Sequence, residues 1–235
     1  MRSVEIDPIG ERIEAVRQAA SAQTLLAATA VLATSDHGNG VNNEAIACLV
    51  EVLGFNNPGA AVAAVDGLIA LGPEAVEPIL ESLDPRNYGA RAWAVRALAG
   101  IGDVRGLDLL EEALASDIGP SVRRAAARGL GQLRLAGLPR EQRHPIAARC
   151  LEALLAGCGD GEWVVRYAVV VGLEALAPEL QPEQPGAPPR GLAQLRSALE
   201  RLSTDPAEDA SVVNLRAALA LQRLAPLSAA EGAHG

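Results

Sequence analysis

A chain of 235 residues holds one or two ordinary domains, or one array of repeats. Hydrophobic residues make up 49% of it and aromatics only 2%, so any core is built from alanine, leucine and valine, which suits close helix packing. The net charge of −9, with arginine supplying the positive side chains, excludes sequence-independent nucleic-acid binding, which needs a broad positive face; a local arginine cluster still suits a small anion. Residues 1–8 read as a loose lead, Glu11–Ala20 and Ala22–Ala33 as an irregular helix pair, and Thr34–Gly40 as a turn. The first residues, MRSVEIDPIGERIEAV, carry charges where a signal peptide needs an apolar core, and no run of about 18 apolar residues free of charge follows. A cytoplasmic protein without a membrane span is predicted. Cys48, Cys150 and Cys158 have no metal-ligand spacing and are odd in number, so a reducing compartment and no metal are expected.

From Asn43 to about Ala177 paired apolar helices recur. Ala45–Leu53, Glu74–Leu83, Gly106–Ala115 and Pro145–Ala156 read as first helices. The second helices repeat a phrase: Val65–Gly72 matches Val95–Gly102 at an offset of 30, Ala90–Ile101 matches Val122–Leu133 at 32, and Val165–Leu176 follows 43 further on. A period of this size predicts an all-α protein, an α-solenoid of HEAT-like repeats, because a lone pair cannot bury its stripe and stacked pairs can. Pro58, Pro85 and Pro120 stand just inside helix starts, where the missing N–H has no intrahelical partner anyway. Arg134–His144 reads as an insertion, Pro178–Pro189 as a proline-rich linker, and Gly191–Leu202 with Ala210–Leu224 as a polar-faced capping pair. The chain thus divides at 1–42, 43–177, 178–190, 191–225 and a disordered tail at 226–235.

Asn87–Asp103 is the central helix of this scheme. Ala90, Ala94, Ala97, Leu98 and Ile101 form one apolar stripe, and Gly102 closes the helix. The opposite side carries Gly89, Arg96 and Gly100 with Trp93 on its flank, which reads as open space for something flat. Arg91, Arg123 and Arg166 share one repeat position, six or seven residues after Asp84, Asp117 and Asp160, and suit an Asp–Arg ladder between repeats. In a second register Asp66, Arg96 and Arg128 are spaced by 30 and 32 residues and are expected to line up on the inner surface, with Trp93 alongside. A solvated charged face is one reading of that row. The other is a site for a flat, conjugated dianion, held by arginines and stacked on an indole. Phe55, Tyr88, Trp163 and Tyr167 fall toward one edge, either as gap-fillers or as part of the site, and Asn56, Asn57 and Asn87 flank it.

The segments Gly54–Gly72, Asn87–Leu110 and Ser121–Gly131 resemble the F (beta) subunit of the heterodimeric E/F-type phycocyanobilin lyases, a HEAT-like repeat family, and the likeness spans about Ile13–Ala177. The resemblance implies a subunit that works with an E-type partner. Together they attach phycocyanobilin, an open-chain tetrapyrrole, by a thioether bond to a cysteine of the phycocyanin α-subunit. The bilin is then a substrate, no cofactor is required, and the nucleophile belongs to the client. An F-type subunit that also isomerises the bilin carries Asn-His-Cys where this chain has Asn87-Tyr88-Gly89, so ligation without isomerisation is expected. Joined to the residue pattern, this gives Arg96, Arg128 and Arg91 the propionates, Asp66 the pyrrole nitrogens as the catalytic group, Trp93 and Tyr88 the ring system, and Asn57 and Asn87 the edge. A lyase for another bilin or phycobiliprotein chain, and a non-catalytic phycobilisome-binding adaptor, stay open as alternatives.

Overall fold

The computed structural model describes residues 8–35, 43–84, 86–181 and 191–232. Pro85, most of the predicted turn after Thr34 and, from the proline-rich linker, residues 182–190 lie outside them. Among the described residues there are twelve α-helices and no strand: α1 (Pro8–Arg17), α2 (Ala22–Ala33), α3 (Asn43–Leu53), α4 (Pro58–Leu71), α5 (Val76–Glu81), α6 (Tyr88–Ile101), α7 (Leu107–Ser116), α8 (Pro120–Gly131), α9 (Arg140–Gly157), α10 (Trp163–Leu176), α11 (Leu192–Thr204) and α12 (Ser211–Gly232).

The chain forms two compact units, 1–101 and 102–235. In the first, α2, α4 and α6 pack side by side, and α1, α3 and α5 make the layer behind them. In the second, α8, α10 and α12 pack likewise over α7, α9 and α11. Each unit buries its own stripe. Ile46, Leu49, Leu68, Ile79, Leu98 and Ile101 fill the first, and Leu110, Leu130, Leu154 and Leu173 are among those filling the second.

Small residues set the helix spacing. A Cβ on Gly67 of α4 would stand 2.7 Å from the Cβ of Ala33 on α2. Gly131 of α8 and Gly172 of α10 meet backbone to backbone. Conformation requires glycine where α4 ends, at Gly72 with φ +78°, and where α6 ends, at Gly102 with φ +70°. Residues 58–81 are long and apolar enough to cross a membrane by composition. The break at Gly72 and the packing of α4 and α5 against α2, α3 and α6 show them instead as elements of a helical core.

The turns repeat as well. Asp84, Asp117 and Asp160 each accept, through Oδ1, the N–H two residues on: Arg86 at 2.9 Å, Gly119 at 2.8 Å and Glu162 at 2.8 Å. In the second unit, Arg123 and Arg166 of the following helices then reach into the next repeat. Arg123 is bidentate to Asp160 at 2.7 and 2.9 Å, and its Nη1 donates to the carbonyl of Asp117. Arg166 does the same with Glu208 and the carbonyl of Asp160.

Several boundaries differ from expectation: α1 spans Pro8–Arg17 and not Glu11–Ala20, and a 3₁₀ helix over Ala177–Leu180 takes up the start of the expected linker. Helix α9 starts at Arg140, so Pro145 lies inside it and part of the presumed insertion is helical. Proline there removes the bond to the carbonyl four residues back, and its ring crowds that carbonyl. The first helix of the third pair opens as a 3₁₀ turn over Gly72–Ala75 before α5. Helix α12 runs on to Gly232, beyond Leu224, so residues 226–232 of the expected tail are helical; 233–235 lie outside the described residues.

Candidate functional site

Asp66 is exposed on α4. It lies at a groove of about 460 Å3 between α2 and α4, whose walls are mostly methyl groups and backbone: Ala30, Ala33, Ala63, Gly67 and Ala70. A smaller recess, about 180 Å3, is formed by the turn before α4 and the start of α6; Phe55, Asn57, Asn87 and Trp93 line it. Asp66 and Trp93 therefore line different recesses of the first unit.

The asparagines are held by the backbone. Asn57 caps α4, accepting the Ala60 N–H at 3.1 Å, while its amide donates to the Ala22 carbonyl at 2.8 Å. Asn87 caps α6 by accepting the Ala90 N–H at 3.0 Å. Sequence placed both at the pigment's edge, but their geometry is that of helix N-caps. Alanine at Asn57 is expected to lower stability by about 1–2 kcal/mol, read as a shifted urea midpoint. An unshifted midpoint would show that the cap is dispensable.

Trp93 and Arg96 form a unit of their own. Both are half-buried, and the Arg96 guanidinium carbon sits 4.4 Å from the indole centroid, a cation–π pair three residues apart on α6. Stacking orients the guanidinium and covers one indole face. Gly100 is not the open space expected from sequence: Ile69 of α4 fills it, with Cγ1 2.7 Å from where a Cβ would be. Gly89 is open, with nothing nearer than the Asn87 oxygen at 3.6 Å. Tyr88 is 69% exposed, and Arg91 is half-buried on α6.

Arg128 is exposed on α8, in the second unit. There it lines a recess of about 460 Å3 with Arg124, Tyr167, Ala168, Val171 and Arg216. Sequence reasoning passed over Arg124 and Arg216. The repeat offset of 43 was available as a signal, since it sets Arg124 against Tyr167 on the neighbouring helix.

The cysteines are poor nucleophiles. Cys48 and Cys150 are buried and Cys158 half-buried. Burial pushes the Cys48 thiol up, Cys150 to about 12 and Cys158 to about 11, so at neutral pH all three are protonated. Among the described residues no three His, Cys, Asp or Glu side chains gather as a metal site.

Two layers of paired helices, glycine-spaced and tied by a repeated Asp–Arg turn, define a HEAT-repeat protein. The HEAT-repeat family profile matches residues 57–131 and 76–174. The designed armadillo repeat protein YIII(Dq)4CqI superposes with a TM-score of 0.52 at 18% identity over 92% of this chain and 99% of its own, which speaks for the fold alone. The chain belongs, within that class, to the family of phycocyanobilin lyase beta (F) subunits. It is 54% identical over 182 residues to the bilin biosynthesis protein RpcF of Synechococcus sp. (strain WH8020), covering 77% of this chain and 82% of that one. It is 49% identical to the phycocyanin alpha phycocyanobilin lyase CpcF of Synechocystis sp. (strain PCC 6803), covering 76% and 81%. A chain of the CpcE–CpcF phycocyanin lyase complex from Nostoc sp. PCC7120 superposes with a TM-score of 0.66 at 40% identity, over 76% of this chain and 99% of that one.

Proposed function

We propose that this protein is the F subunit of a heterodimeric, cytoplasmic lyase that attaches phycocyanobilin by a thioether bond to a cysteine of the phycocyanin α-subunit, together with an E-type partner. The observation that carries this reading is the 49% identity to CpcF over 81% of its length, joined to the match with a chain solved in complex with CpcE.

The chemistry is an addition. The client thiol adds across the exocyclic ethylidene double bond of the bilin: sulfur bonds the outer carbon, the proton ends on the ring carbon, and nothing leaves. Such a reaction needs no nucleophile from the lyase, and the three protonated thiols of this chain suit that division of labour. What the lyase supplies is position, fixing which thiol meets which face of the double bond. Asp66 is the group we assign to the pyrrole nitrogens, where a carboxylate favours the protonated, more electrophilic bilin. The small side chains around its groove leave room for a flat ring system. Arg96, pre-oriented by Trp93, is assigned to a propionate. Arg91, Tyr88 and the asparagine-capped edge have supporting parts.

Arg96→Ala is expected to slow bilin transfer several-fold with helicity unchanged; unaltered transfer kinetics would reject its role. The function itself is tested by making the phycocyanin α-subunit and phycocyanobilin in a heterologous host, with and without this chain and an E-type partner. A zinc-fluorescent α-subunit band that needs both chains supports the assignment. A band independent of this chain, or appearing only with another bilin or client, overturns it. The product is expected to keep the absorbance of unisomerised phycocyanobilin.

A further inference from the structure

Helix α12 carries two apolar seams. One, Val213, Ala217, Ala220 and Leu224, is buried where α12 packs on α10 and α11. The other, Val212, Leu215 and Leu219, has the i, i+3, i+7 spacing of a helix–helix seam but is exposed, Leu215 to 69%, and exposed Gln222 continues the row. The last helix of a repeat array ordinarily turns a polar face outward, as the sequence suggested for this pair. Helix α12 does not, and an exposed apolar stripe marks a contact surface. The charges around the stripe differ at its two ends. Beside its start stand Asp205, Glu208 and Asp209, against which Arg166 sets one positive charge; it pairs with Glu208 and Asp209, and Asp209 stays 74% exposed. Toward its end Arg216 and Arg223 share Glu174, and Arg196 donates to the Leu224 carbonyl; Arg223 stays 58% exposed. The first end is acidic and the second basic.

We propose that this stripe is the contact between two copies of the chain, paired antiparallel through α12 about a twofold axis. A surface that is apolar in the middle, acidic at one end and basic at the other complements itself when one copy is turned end for end. With the axis at the level of Ala217, Leu215 of each copy lies against Leu219 of the other, and Asp209 of each stands near Arg223 of the other. This arrangement also opposes the two helix dipoles, whereas a parallel pair would bring the acidic ends together. Three apolar side chains from each copy make a small contact, in the weak, reversible class below about 1,200 Å2. The pair therefore forms and separates with concentration. The proposal does not depend on the lyase function; it says only that two such subunits meet through the end of the array.

Sedimentation velocity of the full chain over a range of concentrations tests it. The wild-type chain is expected to pass from monomer to dimer as its concentration rises through the micromolar range. Leu215→Glu should weaken association by about tenfold or more, with circular dichroism and the urea midpoint unchanged because the side chain is exposed. Leu215→Gln/Leu219→Gln should do the same without adding a charge. Direction is read by cross-linking: Leu215→Cys and Leu219→Cys chains, mixed and mildly oxidised, should join to each other in preference to themselves. Monomer at every concentration, association untouched by the glutamate and glutamine variants, or Leu215→Cys joined chiefly to itself overturns the antiparallel pair. A wild-type chain that stays monomeric, yet loses an E-type partner or the phycocyanin α-subunit on Leu215→Glu, also overturns it and gives the stripe to that protein.

Discussion

Alanine at Gly131 is expected to destabilise the second unit by about 3 kcal/mol, the upper end of what overpacking ordinarily costs. A Cβ at this position would overlap the Gly172 carbonyl oxygen and Cα, and would stand 2.7 Å from its carbonyl carbon. Those atoms are backbone, so no rotamer change can relieve the overlap, and α8 and α10 must move apart. Separation would open the contacts around Leu130 and Leu173, both fully buried. The small gain in helix propensity over glycine, up to about 1 kcal/mol, does not offset this. Valine should leave the unit unfolded. Gly137→Ala is the control, since nothing lies within 4 Å of its Cβ position. Urea denaturation reads the difference, and a Gly131→Ala chain with the wild-type midpoint would show that the two helices are not in contact as described.

Glu208→Ala should cost about 3 kcal/mol, because it leaves the largely buried Arg166 without its bidentate partner. The side chains of Arg166 and Glu208 are 12% and 2% exposed, and the remaining acid, Asp209, is 74% exposed and a weak substitute. The pair also sets a pH dependence. The hydrogen bonds from Arg166 hold the Glu208 carboxyl well below the ordinary glutamate value of about 4.3, despite opposing desolvation. A carboxyl depressed on folding contributes its stability fully above the unfolded pKa and loses it as pH falls through the folded one. Asp160 adds to this in the same direction: burial alone would raise it, but the Arg123 hydrogen bonds hold it low. The wild-type chain is therefore expected to lose stability progressively below about pH 4.5, and Glu208→Ala to show a shallower acid limb from a lower starting point. Parallel acid limbs would mean that the pair contributes nothing on folding.

Much of this fold can be read from sequence because its helices repeat one phrase. The spacing of Ala94, Leu98 and Ile101, the prolines Pro58 and Pro120 at helix starts, and Gly102 at a helix end each have a local physical cause, and all appear where those causes place them. The arginine ladder was visible as a repeat position, but Glu208 was not, since it lies in the turn between α11 and α12, outside the matched segments. The site was less legible. Alignment by offset placed Asp66, Trp93, Arg96 and Arg128 in one row, yet an offset reports helix register and not which cavity a side chain faces. Asp66 lies at the groove between α2 and α4, while Trp93 turns toward the start of its own helix and holds Arg96. Gly100 misled for a related reason: a glycine on a helix face marks space or a close neighbour, and only the structure shows that Ile69 is there. Asn57 and Asn87 have the right polarity for a ligand edge, and their place just before α4 and α6 makes them helix caps as well.

The central claim is that this protein positions a pigment for another protein's thiol and forms no bond to it. Intact-mass spectrometry of this chain and the phycocyanin α-subunit, sampled through a reaction with phycocyanobilin and the E-type partner, tests it most directly. The account predicts the added mass of one bilin on the α-subunit and none on this chain at any time. A bilin adduct on this chain, rising before the α-subunit product and decaying as it forms, would contradict it.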